Sequence, residues 1–431
     1  SGNTRSMSAL GFLRSKYQEC LDKHVGCRLQ ASPMAIYPSQ IIDVGELEDN
    51  RIFLRNTQDS GNQGTYACLS HCWGQKQPFK LTNETKSMLQ DGMLLSALPK
   101  TFQDAIFVTR SLGIRLLWID SLCIFQDSGD DWETEASRMG DIYSQAACTI
   151  AATAAKDSDG GLFAERDPTV LRPRRIEANW TPNPDAATNE RYAYPAAGLY
   201  WCDIAELWTQ AVERAPLNSR AWVCQERHLS PRIMHFSDSQ LFWECHECIS
   251  CENYPSGLPH WAGPSWYHNS SVSRQNLHQL RLQEADLSRE GSGSLLKRKL
   301  YFSWAVFRIH YTECVMTKEE DKLIAIHGIA QQLGQVLGDQ LVAGLWSNRL
   351  IEELCWRKGS DLNEPPPPKL TKWRAPTWSW ASSNARIWVS NTTRFHRKCK
   401  DKQIWSELEN LDVRTKASGE LEQASLRIRC K

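Results

Sequence analysis

Short apolar segments alternate with amphipathic helical segments between residues 66 and 152, and this alternation limits the possible folds more than any other feature of the sequence. The apolar runs lie at residues 66–69, 115–119 and 147–152. Their length suits strands, and continuous apolar strands are typical of a parallel sheet that helices cover on both faces. We therefore predict an α/β fold in which a parallel sheet is flanked by helices.

The segments between these runs carry helix signals. Thr101 is a predicted N-cap with Asp104 three residues later, and Gly113 closes the segment. In the second segment Asp130 is the predicted N-cap and Glu133 takes the capping-box position. Both segments keep apolar residues on one helical face, so each is expected to pack on the sheet.

Polar side chains stand at the ends of two predicted strands. Ser70 and His71 follow the first apolar run, and Asp120 follows the second. Parallel sheets bind ligands beyond the carboxyl ends of their strands, so these residues are expected at the rim of a ligand cleft. This prediction requires that the segments near residues 70, 120 and 226 meet at one edge of the sheet.

The chain divides into regions of different composition and pattern. Residues 1–60 are weakly patterned and are predicted to be a leader that packs on the core. Residues 61–255 are predicted to form the α/β domain, with an insertion at residues 156–200. Residues 256–364 are predicted to be mainly helical, and residues 365–431 to form a Pro-rich linker and a Trp-rich tail of short strands.

Local patterns give further predictions outside the first three strands. Helices are predicted near residues 203–214, 274–290, 295–312 and 319–337, and a β-hairpin at residues 232–236 and 240–245.

Charge and apolar content exclude some classes of protein. The 431-residue chain has 50 basic and 50 acidic side chains, so it lacks the positive excess of a nucleic-acid or membrane-surface binder. No stretch approaches the roughly 20 apolar residues of a membrane span. The 15 cysteines are odd in number and irregularly spaced, which is typical of reduced thiols, so we expect a cytoplasmic protein.

Several compact motifs occur in order along the chain. They are Tyr66-Ala-Cys-Leu-Ser-His-Cys-Trp-Gly74, Leu98-Pro-Lys-Thr-Phe-Gln-Asp-Ala-Ile106, Leu117-Trp-Ile-Asp-Ser-Leu-Cys-Ile-Phe-Gln-Asp127, Met139-Gly-Asp-Ile-Tyr143, Leu217-Asn-Ser-Arg-Ala-Trp-Val-Cys-Gln-Glu-Arg227 and Leu241-Phe-Trp-Glu-Cys245. Through them the chain resembles the heterokaryon-incompatibility (HET) domain proteins of filamentous fungi. The segments Asp321–Leu323, Ala343–Trp346 and Ala375–Ser382 resemble the region that commonly follows the domain in this family.

The resemblance implies a role in non-self recognition that ends in programmed cell death, while other members lie in secondary-metabolism gene clusters. It also implies a remote similarity to TIR domains (the Toll/interleukin-1 receptor fold), some of which hydrolyse NAD, and hence a TIR-like or flavodoxin-like sheet. The TIR catalytic glutamate lies in a Trp-Cys-x-x-Glu-like helix. Here Trp222-Val-Cys-Gln-Glu226 keeps the Trp-to-Glu spacing and has its cysteine displaced by one position, which makes Glu226 the first catalytic candidate.

Glu226, Asp120 and His71 are the candidate catalytic residues. NAD cleavage passes through an oxocarbenium-like transition state that a carboxylate near the ribose can stabilise, and this is the role predicted for Glu226. Its structural alternative is an ion pair with Arg220 or Arg227. Asp120 could hold ribose hydroxyls or orient His71, and its alternative is to cap the following segment through backbone amides.

Ser70, Trp73, Gly74 and Cys123 are candidate ligand-binding residues. Ser70 and His71 are adjacent on a strand and should point to opposite faces, which argues against a Ser-His hydrolytic pair. Trp73 and Gly74 form a predicted turn in which the indole could stack on a base or on nicotinamide, although a buried tryptophan is commoner. Cys123 is either a nucleophile or an inert buried thiol, and the inert thiol is favoured because no activating neighbour is evident.

The remaining ligand-binding candidates are Gln126, Glu135, Arg220, Trp222 and Gln225. Glu135 is included mainly because of the family resemblance. On its helix it is otherwise expected to be exposed to solvent and paired with Arg138.

No metal site or bound cofactor is predicted. Cys245, Cys248 and Cys251, with His246 between them, could bind zinc, but a structural zinc site needs four ligands, usually as two separated pairs, and the second pair is not evident. The dinucleotide-binding, P-loop and zinc-protease motifs are also lacking, so NAD is considered only as a substrate.

Three functional hypotheses follow. The first is a HET-domain protein whose strand-end cleft binds a nucleotide-like or other small ligand and hydrolyses NAD. The second is a non-catalytic signalling module that binds a protein partner, or a second copy of itself, through the Trp-rich C-terminal region. The third is an enzyme of a fungal secondary-metabolite pathway, which should have a wide apolar pocket.

Overall fold

The computed structural model describes residues 2–28, 37–59, 61, 63–75, 79–169, 172–179, 197–264, 292–359, 370–389 and 406–430. The helix predicted near residues 274–290 lies outside these ranges.

Helices and short strands alternate along the described chain. The α-helices are α1 (Met7–Lys23), α2 (Val25–Arg28), α3 (Lys86–Asp91), α4 (Lys100–Ser111), α5 (Asp120–Cys123), α6 (Gly129–Gln145), α7 (Ala221–Leu229), α8 (Ser292–Tyr311), α9 (His327–Leu337) and α10 (Leu350–Glu353). The strands are β1 (Gln40–Asp43), β2 (Arg51–Asn56), β3 (Tyr66–Ser70), β4 (Met93–Leu94), β5 (Leu116–Ile119), β6 (Cys148–Ala151), β7 (Arg174–Ala178), β8 (Gly198–Cys202), β9 (Arg232–Phe236), β10 (Leu241–Cys245), β11 (Ile249–Cys251), β12 (Leu341–Val342), β13 (Leu345–Trp346), β14 (Trp356–Lys358), β15 (Ile387–Val389), β16 (Ser406–Thr415) and β17 (Leu421–Cys430).

Within the described ranges, nine strands form one central sheet in the order β11-β10-β9-β6-β3-β5-β1-β2-β4. The four middle strands, β9, β6, β3 and β5, are parallel. Numbered by their order in the chain, these four strands lie in the order 2-1-3-4, which is how the first four strands of a flavodoxin-like sheet are arranged. The α/β fold class predicted from the alternating pattern is confirmed.

Helices cover both faces of the parallel part of the sheet. On one face Phe102 of α4 contacts the ring of His71, with ring centroids 5.0 Å apart. On the other face the Tyr66 hydroxyl of β3 donates a 2.7 Å hydrogen bond to the Ile142 carbonyl oxygen of α6, and α7 packs against α6. The connection from β3 to β5 runs to one side of β3, and the later connections run to the other side. Because such connections are right-handed, the helix of the first connection lies on one face of the sheet and the helices of the later connections lie on the opposite face.

The parallel strands are flanked by antiparallel strands on both sides of the sheet. Strand β1 pairs antiparallel with β5 and β2, and β10 pairs antiparallel with β9 and β11. Part of the predicted leader therefore belongs to the sheet. Strands β1 and β2 have four and six residues, too few for periodicity to separate them from loops. The hairpin predicted after residue 231 is confirmed as β9 and β10.

Helix α4 begins one residue before its predicted N-cap. Pro99 occupies the N-cap position, and Thr101 lies inside the helix and is fully buried. The Thr101 hydroxyl accepts a 3.0 Å hydrogen bond from the Gly161 backbone amide, so a tertiary contact uses the side chain that the sequence assigned to capping. Gly113 follows the helix with a φ of +72°, as its position predicted.

Helix α6 also begins before its predicted N-cap. Ser128 precedes the helix, and its hydroxyl accepts a 3.3 Å hydrogen bond from the backbone amide of Asp131. Asp130 therefore lies in the first turn, where its charge still favours the positive end of the helix dipole.

The other helix predictions have mixed outcomes. The segment at 295–312 corresponds to α8. In the segment at 203–214 residues 207–213 are helical, with a π-helical turn at Thr209–Glu213, and the segment at 319–337 is α-helical only in α9, after two 3₁₀ turns.

The largest of the hydrophobic clusters in the described chain extends through most of its elements. Its buried members include Leu13 of α1, Trp118 of the sheet, Trp304 of α8 and Trp380 near the C-terminal strands. The core therefore crosses the predicted boundary between the α/β domain and the helical region. Among the described residues, no helix combines the length and the apolar character needed to cross a membrane.

Candidate functional site

Ser70, His71, Asp120 and Glu226, here called the strand-end cluster, lie together at the carboxyl edge of the parallel strands. Ser70 ends β3, Asp120 is the first residue of α5 after β5, and Glu226 lies on α7. Ser70 Oγ donates a 2.5 Å hydrogen bond to Glu226 Oε2. His71 Nδ1 and Asp120 Oδ1 are 3.7 Å apart. The segments near residues 70, 120 and 226 thus converge, as the strand-end pattern requires.

The cluster lies at the point where the strand order reverses. The chain adds β5 on one side of β3 and β6 on the other, so the reversal falls between β3 and β6. Open α/β sheets bind ligands in the crevice at such a point because the following loops diverge to opposite faces. Ser70 is the last residue of β3 and so stands at this crevice.

Glu226 is a buried carboxyl group whose protonation changes near neutral pH. Its residue is 5 % exposed, and burial raises the pKa of Glu226 to about 7. The hydrogen bond from Ser70 and the positive charge of Arg220 oppose this rise, while the negative charge of Asp120 adds to it. A carboxyl group with a pKa near 7 can exchange a proton at physiological pH.

The two arginines suggested as ion-pair partners of Glu226 bond to other groups. Arg227 Nε donates to Glu244 Oε2 at 2.9 Å. Arg220 Nη1 donates to the His71 carbonyl oxygen and acts on Glu226 through its charge. The Glu226 carboxyl group instead accepts its short hydrogen bond from Ser70.

His71 is a neutral imidazole with unused hydrogen-bonding capacity. The residue is 2 % exposed, and burial lowers the pKa of His71 to about 4. Among the described atoms, neither ring nitrogen has a hydrogen-bond partner. Buried polar atoms in native proteins are usually satisfied, so an unpaired imidazole beside a carboxylate suggests a site for a bound group or water.

Asp120 has a structural role and also connects the cluster to solvent. Its Oδ1 accepts a 2.7 Å hydrogen bond from the Ser121 backbone amide, which is the capping alternative considered for it. Its Oδ2 accepts a 2.9 Å hydrogen bond from Trp73 Nε1. The Asp120 side chain is 22 % exposed, so solvent reaches the cluster from this side.

Ser70 and His71 face different sides of the sheet. Ser70 bonds to Glu226 of α7, whereas the His71 ring packs against Phe102 of α4. This geometry agrees with the sequence argument against a Ser-His hydrolytic pair.

Gly74 allows the loop after β3 to pass close to a second loop. Its φ is +79°, and a Cβ atom at this position would lie 2.4 Å from the Cβ of Asp157. Only glycine avoids both the backbone strain and this clash. The resulting turn holds the Trp73 indole against Asp120.

Tyr143 belongs to the site although it was not among the predicted residues. It lies on α6, and its hydroxyl donates a 3.3 Å hydrogen bond to the Leu69 carbonyl oxygen, beside Ser70, where it also lowers the pKa of Glu226. In the sequence it falls on the apolar face of the helix, where an aromatic residue is expected to be core. The available signal was its phenol group, because a buried tyrosine hydroxyl needs a polar partner.

Cys123 and Gln126 have structural environments. Cys123 is fully buried, and burial raises the pKa of its thiol, as in an inert core cysteine. Gln126 Nε2 donates to the Ile124 carbonyl oxygen at 2.9 Å and stabilises the loop after α5.

Glu135 is buried, so its expected exposure to solvent is wrong. It is 1 % exposed, and its Oε1 accepts hydrogen bonds from Ser39 Oγ at 2.6 Å and Arg138 Nη1 at 2.9 Å. The predicted pairing with Arg138 is confirmed. The burial could not be predicted because the segment before β1, which contains Ser39, covers this part of α6 only in the folded chain.

Trp222 and Gln225 contact the C-terminal region instead of the strand-end cluster. Trp222 Nε1 donates to Asp321 Oδ2 at 3.0 Å. Gln225 Oε1 accepts a 2.8 Å hydrogen bond from the Gly328 backbone amide. These side chains connect α7 to the region before and at the start of α9.

A cleft of about 1060 Å³ lies in the C-terminal region, between α9 and the turn that joins β16 and β17. Most of its lining residues are polar or small, and none belongs to the strand-end cluster. We place the candidate site at the strand ends because buried titratable groups with shifted pKa values converge there.

A group of possible metal ligands lies at the opposite, amino edge of the sheet. Cys245 ends β10 and faces Arg232, the first residue of β9. Cys20, His24 and Cys27 approach it from α1 and α2, and the ligand atoms of these three residues and Cys245 all lie within 4.8 Å of one another. We call these four residues the thiol–imidazole cluster. The sequence argument that Cys245 lacks further ligands therefore does not hold.

Together, the sheet order and the strand-end cluster define an α/β protein with a candidate ligand site at the switch point of its sheet. Residues 66–226 match the family model described as "Heterokaryon incompatibility protein (HET)". The chain therefore contains a HET domain, and the matched range includes the whole strand-end cluster. This domain supports a function of the heterokaryon-incompatibility type. Comparisons with curated proteins and with solved structures give no significant match.

Proposed function

We propose that the strand-end cluster binds a nucleotide-like ligand and hydrolyses the N-glycosidic bond of NAD. The observation that carries this proposal is the buried Glu226 carboxyl group, hydrogen bonded to Ser70 at the switch point of the sheet. The 2-1-3-4 order of the parallel strands supports the TIR-like relationship on which the choice of NAD rests.

In this proposal Glu226 stabilises positive charge on the nicotinamide ribose. The bond between ribose C1′ and the nicotinamide nitrogen breaks, nicotinamide leaves with the bonding electron pair, and positive charge develops on the ribose. Water then adds to C1′ and loses a proton, so the products are nicotinamide, ADP-ribose and a proton. The ionised form of Glu226 is needed, and the Ser70 hydrogen bond and the charge of Arg220 both favour it.

The other members of the cluster position the ligand. Asp120 is partly exposed and can accept hydrogen bonds from ribose hydroxyls. The neutral His71 ring can donate one hydrogen bond and accept another. Because Glu226 and His71 are almost fully buried, the ligand enters past Asp120 and Trp73.

The test is to incubate the pure protein with NAD and to separate the products by chromatography. We expect wild type to release nicotinamide and ADP-ribose, and Glu226→Gln to reduce the rate by about 100-fold or more, because the amide keeps the size but not the charge. Glu48→Gln is the matched control, since Glu48 is exposed in the loop between β1 and β2. If wild type is inactive at high protein concentration, including conditions that promote assembly, NAD hydrolysis should be abandoned.

Association through the C-terminal region is the second candidate function. Trp373 and Trp388 are 55 % and 42 % exposed, which is unusual for such large apolar side chains. This function predicts a change of mass in light scattering when a partner or a second copy binds, and Trp373→Ala should weaken it. A single monomer with every candidate partner would contradict it.

A further inference from the structure

We propose that the thiol–imidazole cluster binds one structural zinc ion, which fastens the N-terminal helices to the edge of the central sheet. This site is separate from the strand-end cluster and does not depend on the proposed function.

The chemical nature of the four side chains selects zinc. Three thiolates and one imidazole form a ligand set that structural zinc sites commonly use, and soft sulfur ligands disfavour magnesium and calcium. Cys20, His24 and Cys27 follow one another at the short spacings of a zinc-binding segment, and Cys245 supplies the fourth ligand from a distant part of the chain.

The distances suit a tetrahedral ion. With metal–sulfur bonds of about 2.3 Å, the sulfur atoms of a tetrahedral site are about 3.8 Å apart. The four ligand atoms lie within 4.8 Å of one another, and Cys245 Sγ is 3.3 Å from His24 Nδ1. The longest separation that this limit allows would have to shorten by about 1 Å to reach bonding geometry. Cys20, Cys27 and Cys245 are 0 %, 3 % and 0 % exposed, which suits a closed structural site.

The groups around the cluster provide the outer contacts that zinc sites use. Arg232 Nε donates to Cys20 Sγ at 3.2 Å, and Arg232 Nη2 donates to the Cys27 carbonyl oxygen at 3.2 Å. The Gly26 backbone amide donates to Glu247 Oε1 at 2.6 Å, which joins the two ligand segments. Hydrogen bonds of this kind orient the ligands of a metal site.

Charge balance gives an independent argument. Arg232 is 6 % exposed, and in the described part of the chain its guanidinium bonds to a sulfur and to carbonyl oxygens instead of a carboxylate. A buried cation needs a compensating negative charge. Three thiolates, a neutral imidazole and Zn²⁺ carry a net charge of −1, which the single positive charge of Arg232 neutralises.

The location indicates a structural role for the ion. Cys20 is near the end of α1, Cys27 is in α2, and Cys245 ends β10. Zinc would therefore connect the segment that contains Cys20, His24 and Cys27 to Cys245, which lies more than 200 residues later in the chain. All four coordination positions are taken by protein, which leaves none for a substrate.

The first test is the zinc content of the full-length protein, purified without chelators and measured by mass spectrometry of the metal. We expect about one zinc per chain in wild type. Cys20→Ser and Cys245→Ser should lose most of the zinc, whereas Cys248→Ser, the matched control on the same turn, should retain it. His24→Ala should bind zinc more weakly, and His24→Cys should restore binding by completing a site of four thiolates.

A second measurement uses only wild type, so it tests the proposal even if the variants do not fold. Replacing the ion in wild type with Co²⁺ should give the intense visible bands of tetrahedral cobalt and the sulfur-to-cobalt charge-transfer bands in the near ultraviolet. Wild type that contains no zinc and gives no such bands, with its thiols shown to be reduced by alkylation, would overturn the proposal. So would a disulfide between two of the three cysteines, or equal loss of zinc in Cys248→Ser and Cys245→Ser.

Discussion

Glu226 and His71 show how burial sets the chemistry of single residues in this protein. Burial raises the pKa of Glu226 to about 7 and lowers the pKa of His71 to about 4, so both groups favour their neutral forms. These shifts act on stability with opposite sign. A raised carboxyl pKa stabilises the fold at low pH, whereas a lowered histidine pKa stabilises it at high pH.

The effect of Glu226 can be isolated with Glu226→Gln. The stability that Glu226 contributes is fully present below its unfolded pKa of 4.5 and is lost as pH rises through about 7. We expect the unfolding free energy of wild type, relative to the variant, to fall by about 3 kcal/mol between pH 4.5 and pH 8, since each pKa unit corresponds to about 1.4 kcal/mol. Urea unfolding at several pH values measures this difference.

Comparing wild type with Glu226→Gln cancels the opposite pH-dependent contribution of His71, because both proteins contain His71. Glu48→Gln serves as the control, because it makes the same chemical change at an exposed position. A difference between wild type and Glu226→Gln that does not change with pH would show that Glu226 is ionised and solvated in the folded protein.

At the scale of elements, α6 and α9 approach so closely that both use glycine at the contact. A Cβ atom on Gly140 would lie 3.1 Å from the Cα of Gly328 and 3.2 Å from Leu229 Cδ1. The same region contains the hydrogen bond from Gly328 to Gln225. Close packing here holds the HET domain against the C-terminal region.

The Gly140→Ala substitution tests this contact, because close packing should destabilise the variant whereas the helix preference of alanine should stabilise it. In an open helix position alanine is more stable than glycine by about 0.5–1 kcal/mol. Gly11→Ala in α1, where an added Cβ meets nothing within 4 Å, should therefore stabilise the protein. Gly140→Ala should lower the unfolding free energy by about 1 kcal/mol, because backbone at Gly328 would have to move. Equal stabilisation by the two substitutions in thermal unfolding would contradict the close packing.

At the scale of the whole molecule, the hydrophobic core joins regions that the sequence separates. The residues around α7 bond to the C-terminal region at several points, including Ala221 N to the Val315 carbonyl oxygen at 3.0 Å and Trp222 Nε1 to Asp321 at 3.0 Å. The two regions therefore stabilise one another, although composition suggests a boundary near residue 255.

Truncation after residue 264 should for this reason give a poorly folded protein. Removal of the C-terminal region uncovers α7, of which Ala221, Gln225 and Leu229 are at most 2 % exposed. We expect the truncated chain to aggregate and to bind a hydrophobic dye, as judged by gel filtration and fluorescence. Truncation after residue 389, which removes only β16 and β17 from the described elements, should be milder. A monodisperse 264-residue chain with cooperative unfolding would show that the HET domain is independent.

Much of the central fold could be predicted from local pattern. Strands β3, β5 and β6 and helices α4 and α6 have clear periodicity, and Ser70 and Asp120 follow directly from strand ends. Glu226 was found through the family resemblance. The antiparallel strands β1 and β2 were missed because their runs are short, and Tyr143 was missed because only its hydroxyl, at the tip of an apolar ring, reaches the site.

The sequence alone determined the fold class, the HET motifs and the strand-end positions, because each depends on residues that are near one another in the chain. Only the tertiary structure decided the protonation of Glu226, which depends on burial and on Ser70 and Arg220 from other segments. It also decided that Cys20, His24 and Cys27 lie beside Cys245, because a contact between residues more than 200 positions apart leaves no local pattern in the sequence. Periodicity reports local geometry, whereas burial and ligand geometry arise from contacts between distant parts of the chain.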